Sequence, residues 1–212
     1  MTVVDGGWIL YGARESGHAW KVRQALVLLG VPHAYRQIDI RLPHAKRPAD
    51  FQAVSPYGEV PVLVDADSAQ AQSNAILQRL AVQTGRLGGD RPRELLQWLF
   101  WEANRIGFSL PNVRYHGHFG HPIEAGALSW LRGRLQADLA RLERELEGGR
   151  AFLLGDDLTV ADLACSAYLN WPEQGGVDLG RWPAISGWLE RIRATPGWSH
   201  NYELVGGEVW TG

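Results

Sequence analysis

The sequence predicts an α/β N-terminal domain followed by an all-helical C-terminal domain. Three observations carry that prediction: a helical pattern set between two strand-like runs near the start, a glycine-rich break at residues 85–90 (GRLGGD), and leucines recurring every three or four positions from Leu128 to Leu146. A chain of 212 residues has room for one large or two small domains, and the boundaries read as 1–84 and 91–212.

Residues 8–12 (WILYG) form a short apolar run closed by glycine, the mark of a buried strand. From His18 the spacing changes: Trp20, Val22, Ala25, Leu26 and Leu29 gather on one side of a helix that Gly30 and Pro32 stop. Residues 34–40 (AYRQIDI) alternate, as a strand with two unlike faces does. Strand, helix and strand in that order predict a parallel βαβ unit. Residues 41–56 are punctuated by proline, with one weak helical turn at 49–53. The run Gly58-Glu59-Val60-Pro61-Val62-Leu63-Val64 reads as a strand entered through a proline, whose missing N–H is tolerated at an edge or bend. A turn at 65–68 leads to an amphipathic helix carrying Ser73, Asn74, Ile76, Leu77 and Leu80 and ending near Gly85.

Beyond residue 90 only helices are expected. Pro92 suits a first helical turn, and Leu95, Trp98, Leu99 and Ile106 make a buried stripe. Leu128, Leu131, Leu135, Leu139, Leu142 and Leu146 form the clearest helix, ended by Gly148-Gly149. Thr159-Val160-Ala161-Asp162 has the capping-box form with Asp in place of the usual Glu, flanked by Leu158 and Leu163 as a hydrophobic staple. A last helix with Ile185, Trp188, Leu189 and Ile192 stops before Thr195-Pro196-Gly197. Most of the tryptophans, Trp98, Trp101, Trp171, Trp182, Trp188 and Trp198 among them, read as core.

Composition excludes several functions. Lys and Arg number 21 against 23 Asp and Glu, a net charge of −2, so no basic field draws in nucleic acid or an anionic membrane. Hydrophobic residues at 45% and charged residues at 21% belong to a folded chain rather than a disordered one. The single cysteine, Cys165, leaves no internal disulfide, CxxC pair or multi-cysteine zinc site, suits a reducing compartment, and reads as a small buried hydrophobe. No apolar run reaches the roughly 18 residues of a membrane helix. Met1 to Trp8 lacks the basic and apolar stretches of an export signal, so a cytoplasmic location is expected. His116-Gly117-His118-Phe119-Gly120-His121 gathers three imidazoles of a type that binds zinc or nickel. No nearby carboxylate or cysteine completes the set, so the segment reads as a solvated loop and no metal is expected.

Four segments in order carry a resemblance. They are Ser16 ahead of Trp20-Lys21-Val22-Arg23-Gln24-Ala25-Leu26, then Gly58-Glu59-Val60-Pro61-Val62-Leu63, then Gln72-Ser73-Asn74-Ala75-Ile76, and last Leu158-Thr159-Val160-Ala161-Asp162-Leu163. Together they resemble the cytosolic glutathione S-transferases, over Trp8 to about Trp198, and among them the serine-type classes such as zeta and theta. The resemblance implies a thioredoxin-like N-terminal domain that binds glutathione as co-substrate, with no other cofactor. It also implies a helical C-terminal domain that completes a pocket for an apolar electrophile, and a homodimer. Ser16 is implied as the thiol activator at the start of the first helix. Val60 and Pro61, joined by a cis bond, are implied as the partners of the cysteinyl backbone, and Gln72 with Ser73 as the holder of the γ-glutamyl end. His44, Lys46 and Gln52 lie where the glycyl carboxylate is usually met, with no choice among them. Trp101, Asn104, Arg105 and Phe108 are placed toward the second-substrate pocket. Tyrosine-type classes use a Tyr at the end of the first strand; here Gly12 rather than Tyr11 falls in that slot, unless the register slips by one.

The implied chemistry is adequate in magnitude. An ordinary thiol with pKa about 8.5 is only about 3% ionised at pH 7, and attack needs the thiolate. Lowering the pKa by about two units takes about 2.7 kcal/mol, and one hydrogen bond to a charged group supplies roughly 1.5 to 3 kcal/mol. A single hydroxyl at a helix N-terminus, where free N–H groups also favour an anion, suffices. The plain alternative is that Ser16 only caps its helix, as Ser73 can cap its own. Ser16-Gly17-His18-Ala19 holds no cysteine, so mixed-disulfide chemistry at this helix is not expected, and His18 reads as an exposed helix-start histidine. Gln72 resembles the zeta class of maleylacetoacetate isomerases, from which Gly17 and His18 depart by standing where that class has Ser and Cys. The implied activity is transfer of glutathione to an electrophile. A non-catalytic glutathione- or ligand-binding protein, or a glutathione-dependent isomerase or peroxidase, stand as alternatives.

Overall fold

The computed structural model describes residues 7–66 and 68–203 and the backbone of Val209–Trp210. The first strand, β1 (Trp8–Gly12), runs parallel to β2 (His33–Gln37) through the crossover helix α1 (Gly17–Leu29). Gly30 ends α1 at a left-handed φ of 71°, returning its N–H to the last carbonyls of the helix. β2 is shorter than the alternation predicts: the chain leaves the sheet after Gln37, and Ile38 keeps one bond to the Gly12 carbonyl at 2.7 Å. The weak turn at 49–53 is a full helix, α2 (Ala49–Val54). β3 (Val62–Val64) is antiparallel to β1, and β4 (Ala69–Ala71) is antiparallel to β3 and leads into α3 (Ser73–Thr84). Ala69-Gln70-Ala71 has no strand-like sequence; it is a strand because the β3 edge offers it hydrogen bonds. Asp67, in the expected turn, lies outside the described residues.

Alternation along β1 divides two layers. Leu10, with Tyr35 and Leu63, joins the core under α1 and α3, whereas Tyr11 packs with Ile38, Val62 and Phe51 of α2 on the opposite face. The thioredoxin-like arrangement expected of the N-terminal domain is thus present.

The second half holds α4 (Pro92–Asn104), α5 (Ile106–Phe119), α6 (Ala125–Leu146), α7 (Val160–Ser166) and α8 (Pro183–Arg193). It is not helical throughout. A last strand, β5 (Val209–Trp210), returns to the N-terminal sheet and pairs parallel to β2, giving the order β4-β3-β1-β2-β5. The glycine-rich linker is docked, with the Leu87 carbonyl accepting from Val160 N–H at 3.0 Å, and a single apolar cluster runs from Leu10 through Leu139 to Trp188. Trp171 and Trp188 lie deep in the protein, Trp98, Trp101, Trp182 and Trp198 at the margin of the core, and Trp130 is 54% exposed. Among the described residues no helix is long and apolar enough to cross a membrane, and no group of three His, Cys, Asp or Glu gathers as metal ligands do.

Two expectations in this half are corrected. The stripe Leu95, Trp98, Leu99 and Ile106 is broken at Arg105, whose φ of −120° and ψ of −107° separate α4 from α5. The buried Glu102 carboxylate occupies the bend: a Cβ on Gly107 would stand 2.2 Å from its Oε1, so only glycine fits there. Arg105 Nε, bonded to Asp138 Oδ1 of α6 at 2.7 Å, pins the break. The histidine run is the second: α5 continues through Pro111 to Phe119, so His116 and His118 are helical, and His116 Nδ1 pairs with the His121 carbonyl at 2.8 Å.

Two buried polar knots tie these elements. The capping box at Thr159 is formed, and Asp162 also accepts from Leu153 N–H and Trp188 Nε1 at 2.8 and 2.9 Å, linking the start of α7 to α8. Burial pushes the Asp162 carboxyl up while these donors hold it down. In the second knot Lys21 Nζ of α1 donates to Asn74 Oδ1 of α3 at 2.7 Å and to both Glu102 oxygens of α4 at 3.0 Å. Asn74 Nδ2 closes the triangle on Glu102 Oε2 at 2.7 Å. Lys21 and Glu102 are fully buried. Glu102→Ala strands a buried ammonium and should lower stability by roughly 3–5 kcal/mol in chemical denaturation. The double change Lys21→Met with Glu102→Leu should recover most of that loss; strictly additive losses would show that the two are not a pair.

Candidate functional site

A cavity of about 420 Å³ lies where α1, the turn before β3, the start of α3 and the α4–α5 bend meet, and Ser16, Val60, Pro61, Gln72 and Ser73 all stand in its wall. Ser16 is the N-cap of α1, with its Oγ accepting from Ala19 N–H at 3.2 Å. That bond uses an oxygen lone pair and leaves the O–H proton for another acceptor, the Tyr168 hydroxyl beside it or an atom of a ligand. The Val60–Pro61 peptide is cis.

Gln72 caps α3 with its backbone alone: its carbonyl accepts from Ile76 N–H at 3.0 Å and its side chain makes no cap. Its φ of 69° is a left-handed value on a residue with a side chain, of a kind that costs on the order of 1–3 kcal/mol and gathers at functional sites. Ser73, the first helical residue, therefore opens α3 with its N–H unused by the helix. Glu59 Oε2 accepts from Gln72 Nε2 at 3.4 Å, which turns the amide oxygen away from the carboxylate.

A second compartment of about 310 Å³ adjoins the first. Ser16, His18, Ile40 and Gly107 belong to both, and its outer wall is α5, with Phe108, Pro111, Asn112, Tyr115 and Phe119. Behind it Arg114, buried, holds the turn ahead of Ser16. Its Nη1 donates to the Glu15 carbonyl at 2.8 Å, its Nη2 to the Glu15 carboxylate at 2.9 Å, and its guanidinium lies 3.9 Å from the Trp171 ring centre. Tyr168 packs so closely that a Cβ at position 17 would stand 2.8 Å from its ring, which accounts for Gly17 where the zeta class has Ser. Burial pushes the Tyr168 hydroxyl up, against the pull of Ser16 and Arg114 beside it.

His18 is not the exposed residue expected of a helix start. It is half-buried, its ring set edge-on to Tyr168 at 5.0 Å, and its Nδ1 lies out of solvent with no hydrogen-bond partner. Burial, helped by the Lys21 cation, holds its imidazole down to about 4, so it is neutral at pH 7.

Other sequence candidates lie elsewhere. Of the second-substrate set only Phe108 lines the cleft. Trp101 faces a separate hollow beside Trp98, Arg105 turns to Asp138, and the Asn104 carbonyl accepts from Arg134 at 2.5 Å. His44 packs on Phe51, Gln52 Nε2 donates to the Arg47 carbonyl at 2.7 Å, and Lys46, in the 3-10 turn His44–Lys46, is not in the wall. The basic residue that lines the cavity is Arg47, anchored on the carbonyls of Ile40, Leu42 and Gly58. Tyr11 lies on the other sheet face, its hydroxyl bonded to Asp50 at 3.1 Å. Glu59, Asn74 and Glu102 also line the cavity and were missed. Glu102 had a signal, since 95, 99, 102 and 106 share one helical face and a charge among them implies a buried partner.

Comparison with known proteins agrees with this arrangement. A model of the glutathione S-transferase N-terminal domain matches residues 15–83, and one of its C-terminal domain matches residues 121–196. The chain is 33% identical over 162 residues to the disulfide-bond oxidoreductase YfcG of Escherichia coli K12, covering 69% of this chain and 73% of that one. A glutathione S-transferase from Xanthobacter autotrophicus Py2 superposes with a TM-score of 0.82 at 31% identity over 92% of this chain and 97% of its own. The fold is shared, at 24% identity and TM-score 0.78 over 92% of both chains, with a Pseudomonas fluorescens Pf-5 family member solved with two glutathione bound. Matched in both halves and along nearly its whole length, the chain belongs to the glutathione S-transferase family.

Proposed function

We propose that the protein is a glutathione transferase whose larger compartment takes glutathione and whose smaller one takes an apolar electrophile. The supporting observation is that Ser16 stands in the wall common to both, so a sulfur held by its hydroxyl meets both reactants. In this reading the free N–H groups at the start of α3 and the Ser73 hydroxyl receive the γ-glutamyl carboxylate, and the Gln72 amide oxygen accepts from the ammonium. Val60 pairs with the cysteinyl backbone and Arg47 meets the glycyl carboxylate. The thiolate forms a C–S bond as the leaving group departs with its electron pair, and the thiol proton passes to water. Ser16→Ala removes one bond to the anion, of roughly 1.5–3 kcal/mol. It should raise the bound thiol pKa by about one to two units and lower turnover of an aromatic halide tenfold or more, with glutathione affinity nearly unchanged. Undisturbed turnover would refute the assignment.

The similarity to YfcG favours a second reading, reduction of disulfides by glutathione. Cys165 is buried within α7 and burial pushes its thiol well up, so the protein brings no thiolate of its own. Two glutathione thiols would become glutathione disulfide while the substrate disulfide becomes two thiols. Assays with an aromatic halide and with hydroxyethyl disulfide separate the readings, and Cys165→Ala should leave either activity intact; a loss of disulfide reduction without a loss of stability would place the chemistry on the protein's own sulfur.

The working unit is proposed as a homodimer. Phe100, 72% exposed on α4, with Leu96 one turn before it, and Tyr57, 65% exposed, are apolar surface that a second copy would cover. Light scattering should give twice the chain mass, and Phe100→Asp should shift it toward the monomer.

A further inference from the structure

We infer that His18 is a second hydrogen-bond donor to the sulfur held in the cleft, acting through Nε2–H beside the Ser16 hydroxyl. The inference rests on the glutathione reading and adds a catalytic residue to it. The His18 ring belongs to the wall of both compartments, two residues beyond Ser16 at the opening of α1. Its Nδ1 is shut away from solvent, so the nitrogen a ligand reaches is Nε2.

The groups facing the ring decide its protonation. Lys21 and Glu102 act on it electrostatically, the Tyr168 ring meets it in a T-shaped contact, and Glu15 and Arg114 stand across the smaller compartment, paired with each other. Burial and the Lys21 cation outweigh Glu102, and the ring is neutral through the physiological range, with one N–H and one lone pair. Nδ1 is buried with no partner for a proton, so the proposed tautomer keeps its lone pair on that inner nitrogen and carries the proton on Nε2, the nitrogen a ligand reaches. An imidazole so weakly basic does not retain a thiol proton at neutral pH, so its part is donation to the anion rather than removal of the proton. Ser16 and His18 then hold the sulfur from the same turn of helix, the hydroxyl and the imidazole each supplying one proton to it.

The test uses the full-length protein. Calorimetry first establishes that the wild type binds glutathione; absence of binding would sink the glutathione reading itself. With binding in hand, the ultraviolet absorbance of the bound thiolate is titrated with pH, alongside kcat/KM against pH for an aromatic halide. His18→Ala should raise both midpoints by about one unit, a tenfold loss of thiolate at a fixed lower pH, with glutathione affinity little changed. His18→Phe, which keeps a ring against Tyr168 but has no N–H, should do the same and covers the case in which the alanine variant folds poorly. His18→Gln, which supplies an amide N–H, should restore the midpoint. Midpoints unmoved in the Ala and Phe variants, or a Gln variant that behaves like Ala, would overturn the inference while leaving glutathione binding untouched.

Discussion

The buried triangle of Lys21, Asn74 and Glu102 is the constraint on which the rest of the molecule depends. Each member comes from a different helix, and each of those helices also supplies a piece of the cleft: α1 brings Ser16 and His18, α3 brings Ser73, and α4 leads to the bend at Arg105. A buried ion pair contributes little net stability compared with well-packed apolar residues, but it tolerates few alternative arrangements, because any displacement leaves a charge without its partner. The triangle therefore fixes the angle between the two halves more than it strengthens them. The break between α4 and α5 and the glycine at 107 follow from making room for the Glu102 carboxylate. Burial first, and the same ammonium second, keep the His18 imidazole uncharged.

Around this frame the cleft is assembled from backbone ends. The openings of α1 and α3 both stand in its wall, one capped by a hydroxyl whose proton the helix does not use and the other by a strained backbone whose side chain reaches Glu59 instead of the helix. Such ends offer N–H groups to anionic atoms without spending a charged side chain on each. Arg47 is held by carbonyls of its own neighbourhood and Arg114 by the carbonyl and carboxylate of Glu15 in the other half of the chain, so both are parts of the wall as much as charges in it.

Much of this was legible in the sequence because local signals and tertiary demands agreed. The glycine stop of α1, the leucine ladder of α6 and the capping box at Thr159 each specify an element from within it, and three of the four motifs place Ser16, Val60, Gln72 and Ser73 on a single cavity. What was missed depends on neighbours. β4 exists only because β3 needs a partner, and the α4–α5 break is set by a carboxylate three residues earlier whose counter-ion lies in the other domain. Trp101 and Phe108 share a run of sequence, but the break rotates them to different surfaces, and no periodicity read as one helix separates them. Arg47 stands beside a residue chosen from the correct stretch; which basic side chain turns inward is decided by carbonyls of residues 40, 42 and 58.

The segment after α8 has a bearing on how the protein is made. Gln24 of α1 is bonded to the Gly197 carbonyl and the Ser199 N–H, and Trp20 Nε1 to the Ser199 carbonyl, while Tyr202 reaches Glu15. During synthesis the amino-terminal half emerges first and begins to fold, yet the helix that bears Ser16 waits for residues 197–202 before its outer face is secured. A ribosome-bound chain short of residue 202 would carry α1 through α8 with the wall of the cleft at Ser16 still unbraced, so that wall is secured after the helices that surround it.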